Sequence, residues 1–324
     1  MEIEKHYNPL TYGKGIDYLI SQQKISRFLQ LGLKIKPGLT GRRHQIKGIG
    51  SADLTEVTGK YKPVQAVEGE RESRWIEGKR FQRVELFDEE DDIFSEAPAD
   101  SEVATTYVAG YHRKVDDTAI GKVGQTGGLL GTTYAGINGT EAKTLPAGNF
   151  IPCPSGLTLQ QLYLGNEMLA GSNVDEDDPS ILIVSPSGAT DLLESGQAIS
   201  DSTASTRVYR WGDADMLAME AVLTGQIKQV AGMTVVRCTR PALIASNNKY
   251  TKGGSNTANQ DLAILFKRSA LYGGTWGSGV RVIPSERPDL DDVTRQLKIL
   301  ARLGWARQAE EKVIVFQIND VPHT

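Results

Sequence analysis

DSEVATTYVAGYHRKVDDTAIG, residues 100–121, is the stretch on which the fold turns. Val103, Tyr107, Val108, Tyr111 and Val115 follow one another at steps of four, one, three and four, which is one stripe of a 3.6-residue helix. Pro98 precedes the stretch, and Asp100 or Ser101 is placed to cap its start. Gly121 and Gly124 end it. Outward from this helix the chain reads mostly as strands and glycine-rich connections.

Downstream, Gly124–Gly148 is rich in Gly and Thr and too poor in apolar residues to be core. Residues 150–257 read as a separate α/β lobe. A helix is expected over Leu157–Ala170 with Leu159, Leu162, Tyr163 and Leu169 inward. Gly165 weakens that helix by roughly 1 kcal/mol relative to Ala. After an acidic turn at Asn173–Pro179, Ile181–Val184 is a fully buried strand. Ser185 caps the next helix, Pro186 takes its first position, and Leu192 and Leu193 lie along it. A strand follows at Met233–Arg237, and the polar run Ala245–Gln260 closes the lobe. Residues 261–320 return to strands at Leu262–Leu271, Val280–Ile283 and Val313–Ile318. Between them the pattern is double. Acids after Pro288 and bases at Arg295, Lys298 and Arg302 suit a helix dipole. Leu297, Ile299, Ala301, Leu303 and Trp305 alternate as in a half-buried strand, with Leu300 out of phase.

Upstream, Phe81–Phe87 alternates apolar and polar. With Leu54–Val57, Pro63–Val67 and the charged hinge Glu68-Gly69-Glu70-Arg71, it reads as a long polar hairpin that projects and is steadied by a neighbour. Residues 1–50 are broken by seven glycines and two prolines and read as an arm that needs something to lie on. A short helix is expected within it over Ile16–Leu31, with Ile16, Leu19, Ile20 and Phe28 as its apolar side.

At 324 residues the chain exceeds the usual single domain, so two lobes or one lobe with long excursions are expected. With 39% hydrophobic residues it can bury a core, and 34 glycines against 7% aromatics favour turns, arms and strands. Collagen, coiled coil and wholesale disorder are excluded. No apolar run reaches bilayer length, and Met1–His6 lacks a secretory pattern, which predicts a cytosol-like compartment. Cys153 and Cys238 are distant and form no C-x-x-C pair. The net charge of −4 is unevenly spread. Residues 1–87 carry 16 Lys/Arg against 10 Asp/Glu, and residues 88–324 carry 20 against 30. Such a basic front and acidic remainder suit head-to-tail association between copies. The acidic peak is Asp88-Glu89-Glu90-Asp91-Asp92.

Residues that would carry chemistry do not converge. His6, His44, His112 and His323 lie in different segments without metal spacing. There is no phosphate loop, and the run Gly124–Gly131 follows a helix where that motif follows a strand. Ser246-Asn247-Asn248-Lys249 matches S-x-x-K without its companion motifs. Asp175–Asp178 lacks calcium-loop spacing. No catalytic residue, cofactor or metal site is therefore expected, and the protein is read as structural rather than enzymatic.

The order of parts (arm, polar hairpin, long helix, α/β lobe, closing strands) resembles the major capsid protein of tailed bacteriophages, the Hong Kong 97-type capsid fold. Tyr111–Ile120 is similar to that family's spine helix, and the Gly/Thr stretch after it to the family's linker. Ile181–Pro186 with Asp191-Leu192-Leu193 is similar to its axial strand–helix step. Leu303–Arg307 with Val313-Ile314-Val315 resembles its closing strands. The resemblance implies an α+β fold with an N-terminal arm at 1–47, an extended β-hairpin loop at 48–85, a peripheral domain at 86–148 and 258–324, and an axial α/β domain at 149–257. It also implies a strand from about Thr294 to Arg307.

Carried onto this chain, the resemblance implies a shell of hexamers and pentamers enclosing double-stranded phage DNA, which meets the wall without sequence reading. Lys60, Lys62, Glu68, Glu70, Arg71 and Arg74 would make inter-subunit contacts from the extended loop. Arg27, Lys34, Lys36, Arg42, Arg43 and Lys47 would face acidic patches such as Asp88, Glu89, Glu90, Asp91 and Asp92 of adjacent copies. A portal, a separate scaffolding protein (the arm being too short to include one) and decoration proteins would be partners, with assembly in the host cytoplasm and no membrane. No residue pair matches the lysine–asparagine cross-link of some members. An encapsulin-like nanocompartment and a soluble α/β enzyme with an insertion are the alternatives.

Overall fold

The computed structural model describes residues 26–47, 73–87, 99–154, 156–172, 174–175, 177–195, 229–238, 260–287 and 294–319. Helices run over Arg27–Gln30 (α1), Ala99–Ile120 (α2), Leu159–Gly171 (α3) and Pro186–Ser195 (α4). The strands are Lys34–Leu39 (β1), Arg43–Lys47 (β2), Ser73–Glu77 (β3), Lys79–Phe87 (β4), Thr133–Ala135 (β5), Glu141–Lys143 (β6), Phe150–Cys153 (β7), Ser180–Val184 (β8), Gln229–Val230 (β9), Met233–Arg237 (β10), Gln260–Lys267 (β11), Leu271–Arg287 (β12), Thr294–Arg307 (β13) and Val313–Asn319 (β14). They form three sheets, in the orders β7-β14-β11-β8-β10-β9, β1-β12-β13-β4 and β2-β3-β5-β6.

The six-stranded sheet is the centre of the molecule, because alternate residues of its strands feed two different cores. Ile181, Ile183, Ile264, Phe266, Val313 and Val315 pack on one face against Val115, Ala119 and Ile120 of α2 and Trp305 of β13. Leu182, Val184, Ala263, Leu265, Ile314 and Phe316 pack on the other against Leu159, Leu162 and Leu169 of α3 and Leu192 of α4. A strand buried on both faces reads as an unbroken apolar run, which is why Ile181–Val184 was recognisable in sequence. The sheet draws β7–β10 from residues 150–237 and β11 and β14 from residues 260–319, so it spans the division expected at 257/258.

The double pattern at 288–307 resolves as a strand. β13 pairs antiparallel with β12 and β4, and Ile299, Ala301, Leu303 and Trp305 are all buried. The helix of residues 100–119 is present as α2, starting at Ala99, so Asp100 and Ser101 fall within its first turn. Val108 is 40% exposed rather than inward. In α3, Tyr163 is 52% exposed, because it lies one residue, about 100°, round from buried Leu162. Gly165 is there because Phe316 is close: a Cβ would meet the Phe316 Cζ at 2.6 Å. Ser185 caps α4 as expected, its Oγ accepting from Gly188 N at 3.1 Å.

Two expectations are corrected. The Gly/Thr stretch does contribute to the core, since Leu129 and Leu130 are buried against α2. Their amides donate to Ala119 O and Ile120 O, both at 2.9 Å, and so satisfy carbonyls that the helix end leaves open. Gly128, at φ +82°, makes the approach possible; a Cβ there would sit 2.7 Å from Thr118 O. Residues 26–47, read as part of an arm that needs something to lie on, lie on their own chain. Phe28 is fully buried beside Phe266 and Trp305. β1 pairs parallel with β12, and β2 pairs with β3. Three apolar residues, Phe28, Leu33 and Leu39, anchor the segment. Leu54–Val57, Pro63–Val67 and residues 16–25 of the expected arm helix lie outside the described residues, whereas Phe81–Phe87 forms part of β4, an outer strand of the second sheet among those described.

Candidate subunit interface

The short helix α1 is fixed by a carboxylate from α2. Asp116, fully buried, accepts from Ser26 Oγ, from Arg27 N at 3.2 Å and from Phe28 N at 3.3 Å. Ser26 Oγ in turn accepts from Leu29 N at 3.3 Å. One side chain thus fastens the N-terminal segment to the long helix. Arg268 adds a second tie, donating from Nε to Gly32 O at 2.9 Å.

A buried charge cluster fastens the loop after α2. Arg307, at the end of β13, is completely buried. Its Nη1 donates to Leu129 O at 2.6 Å and Gly131 O at 3.0 Å, and its Nη2 donates to Lys143 O at 3.2 Å. Glu310 sits between two guanidiniums, with Oε2 at 2.7 Å from Arg74 Nη2 and Oε1 at 3.5 Å from Arg307 Nη2. Arg74 Nε also donates to Gln308 O at 3.0 Å. Burial lowers the Arg307 pKa, Glu310 opposes that shift, and Arg74 adds to it. Aimed backbone carbonyls compensate the second positive charge.

The residues expected to contact neighbours therefore separate. Arg74 is a correction: it is buried and bound within its own subunit, so it is not offered to another. Arg27 is exposed, contributing only its backbone amide to Asp116. Arg42 and Arg43 lie 3.4 and 3.8 Å from Glu77, and Arg43 also lies over the Tyr134 ring at 5.3 Å. Such exposed pairs are worth about 1 kcal/mol or less and leave both cations accessible. Lys34, Lys36 and Lys47 are exposed. Lys36 Nζ is 3.4 Å from His44 Nε2; burial first, and then Lys36, lower the His44 pKa. Lys60, Lys62, Glu68, Glu70, Arg71, Asp88, Glu89, Glu90, Asp91 and Asp92 lie outside the described residues.

Sequence reasoning missed Asp116, Arg307 and Glu310. For two of them a signal was present. Asp116 sits beside Val115 and four residues before Ile120, on the inward face of α2. Arg307 continues the inward parity of Leu303 and Trp305. Among the described residues no group of three or more His, Cys, Asp or Glu is placed to hold a metal ion, and no helix is long and apolar enough to cross a membrane.

Comparison with known proteins gives consistent relatives. A family model described as phage capsid protein matches residues 10–319. The capsid of Ralstonia phage GP4 superimposes with a TM-score of 0.65 at 11% identity, covering 94% of each chain. The capsid of cyanophage P-SCSP1u gives 0.64 at 13% identity, covering 93% of this chain and 90% of that one. The holo-SrpI encapsulin complex of Synechococcus elongatus PCC 7942 gives 0.59 at 10% identity, covering 94% and 92%. No curated protein sequence matches. The fold is accordingly the Hong Kong 97-like α+β capsid fold.

Proposed function

The chain belongs to the phage capsid protein family, and from that premise we propose that it forms hexamers and pentamers closing an icosahedral head around double-stranded DNA. It is a structural shell protein of the virion, assembling from copies of itself. The family match over residues 10–319 carries this reading.

The finer parts of the proposal are these. Residues 1–47 begin as an arm, 48–85 form the extended loop, 86–148 and 258–324 the peripheral domain, and 149–257 the axial domain. Arg27, Arg42, Arg43, Lys60, Lys62, Glu68, Glu70, Arg71 and the acids Asp88–Asp92 take part in contacts between copies. Their charge supports that role: a basic front and an acidic remainder attract head to tail. The extended loop and the part of the arm before Ser26 gain order by lying across adjacent copies. Assembly takes place in the host cytoplasm on a separate scaffolding protein, around a portal, with decoration proteins added outside and DNA held without base reading.

Negative-stain microscopy of the expressed chain tests the reading, alone and with infected-cell lysate. Closed particles or free hexamers and pentamers are expected. A monodisperse monomer under both conditions overturns it. The SrpI likeness favours one second reading, an encapsulin-type compartment of the same fold. The contents decide: DNA in particles from infected cells supports the head, and a protein cargo supports the compartment.

A further inference from the structure

A groove of about 320 Å³ lies between α2 and β4, with β13 as its floor. Phe81, Tyr107 and Ile299 make it apolar, and Arg83, Arg113 and Lys114 stand around it. The cations lean on the aromatic floor: the Arg83 guanidinium lies 5.2 Å from the Tyr107 ring centroid, and Lys114 Nζ lies 5.2 Å from that of Phe81. Tyr107 is buried, and its hydroxyl has no hydrogen-bond partner. A buried orphan hydroxyl costs about 1–3 kcal/mol, so an occupant that supplies a polar atom there is favoured. Among the described residues, β4 has β13 on one side and nothing hydrogen-bonded on the other.

Resting on the shell reading, we propose that this groove receives a second copy of the chain through its acidic residues Asp88–Glu96. Charge complementarity selects that segment. It carries six acids and no base, with Ile93 and Phe94 as apolar anchors. The N-terminal residues 1–25 carry three acids and three bases, so the cationic rim does not favour them. Geometry selects a second copy. The segment joins Phe87 to Ala99, whereas the groove is lined by residues 81–83 and 106–114. To enter its own groove it would have to run back about 17 Å along β4 and return about as far, nearly the full reach of eleven extended residues. A neighbouring copy meets no such restraint. This gives the acidic run a counterpart other than the N-terminal cations expected from sequence.

The test is a disulfide between differently tagged chains. Gly110 lines the groove, and a side chain there has room, its nearest neighbour being Arg113 Nη2 at 3.8 Å. A tagged G110C chain is co-expressed with an untagged D91C chain, and particles are oxidised and run without reductant. A tagged–untagged dimer in up to about half of the chains, the share that random mixing of the two types allows, is the expected result. Particles with no such dimer overturn the proposal. So does a disulfide that forms only within the double variant G110C/D91C. If the cysteine variants fail to assemble, charge reversal takes their place. R113E/K114E and D91K/D92K should each lower particle yield at least tenfold, and their combination should restore it to within twofold of wild type. A combined variant no better than either parent overturns the proposal. Wild-type chain that stays a monodisperse monomer, alone and with infected-cell lysate, removes the shell reading itself, a separate result visible before any variant is made.

Discussion

Glu310→Gln tests the charge that lies between two buried arginines. The carboxylate lies 2.7 Å from Arg74 Nη2 and 3.5 Å from Arg307 Nη2, and both arginines are buried. At an effective dielectric of about 20, unit charges at those separations attract by roughly 6 and 5 kcal/mol. Much of that offsets desolvation already incurred on folding. The amide keeps the shape and one acceptor but removes the negative charge that lies between the two guanidiniums. Breaking a buried pair from one side costs about 3–5 kcal/mol; a loss near 3 is expected because the amide still accepts from Arg74. For a chain of 324 residues that lowers the melting temperature by roughly 4–5 °C. Urea unfolding of unassembled subunits, followed by tryptophan fluorescence, measures it as a lower midpoint at unchanged slope. Adding Arg74→Met should return at least about 1 kcal/mol of the loss, since one of the two cations that Glu310 served is then gone. A Glu310→Gln midpoint within 1 kcal/mol of wild type, or strictly additive losses in the double variant, refutes the view that Glu310 is what reconciles the two arginines.

Asp116→Ala removes the acceptor for Ser26 Oγ, Arg27 N and Phe28 N. Limited trypsin digestion should then cut at Arg27 at least tenfold faster than in wild type, a change of about 1.4 kcal/mol in local opening. Gly165→Ala should destabilise by about 1–3 kcal/mol despite its better helix propensity, because the new methyl meets Phe316; calorimetry reads the sign. His112 has its pKa lowered by burial, with Asp116 opposing. The unfolded chain therefore binds the proton first, so stability present above about pH 6.5 declines as pH falls below it. His112→Gln should flatten that part of a melting-temperature profile between pH 7.5 and 5. Cys153 is pushed up to about 12 by burial and by Asp191, and Cys238 is buried. A thiol reagent at pH 8 should find neither until denaturant is added.

The strands declared themselves where one physical demand dominated. Burial on both faces makes Ile181–Val184 continuous, and burial on one face makes Ile299–Trp305 alternate. The helix at 99–120 was visible from Tyr107, Tyr111 and Val115. What stayed hidden depended on partners far away in sequence. Gly165 looked like a weakness until Phe316 was seen against it. Leu129 and Leu130 were two apolar residues in a polar stretch, and no local count could show that they finish a helix end. Asp116 and Arg307 looked like ordinary surface charges to composition. Only their phase, read with the apolar residues beside them, placed them inward. The interface candidates were legible as charge, but charge alone did not distinguish accessible Arg42 and Arg43 from buried Arg74.

The polar ties share a geometry that explains why residues 26–47 belong to the body. Asp116 fastens residues 26–28 to the long helix, Arg268 fastens Gly32 to the end of β11, and Arg307 fastens residues 129–143 to the end of β13. Each joins segments about ninety or more positions apart. Each uses backbone groups on one side, so the tie fixes where the chain runs whatever side chains it carries. Contacts of such sequence separation form late and incur a large loop-closure cost. The subunit meets that cost once, within itself, before any neighbour is present. A shell subunit gains from this division. Ser26 is held at a fixed point and its backbone in a fixed direction, so residues before it start from the same place in every copy. Asp116→Ala separates this from mere stabilisation. If the clasp sets direction, the variant's particles should be irregular or open while its melting temperature falls by only about 1–2 kcal/mol equivalent. Regular closed particles from a chain whose Arg27 is freely cut by trypsin would show that the launching point is immaterial to assembly.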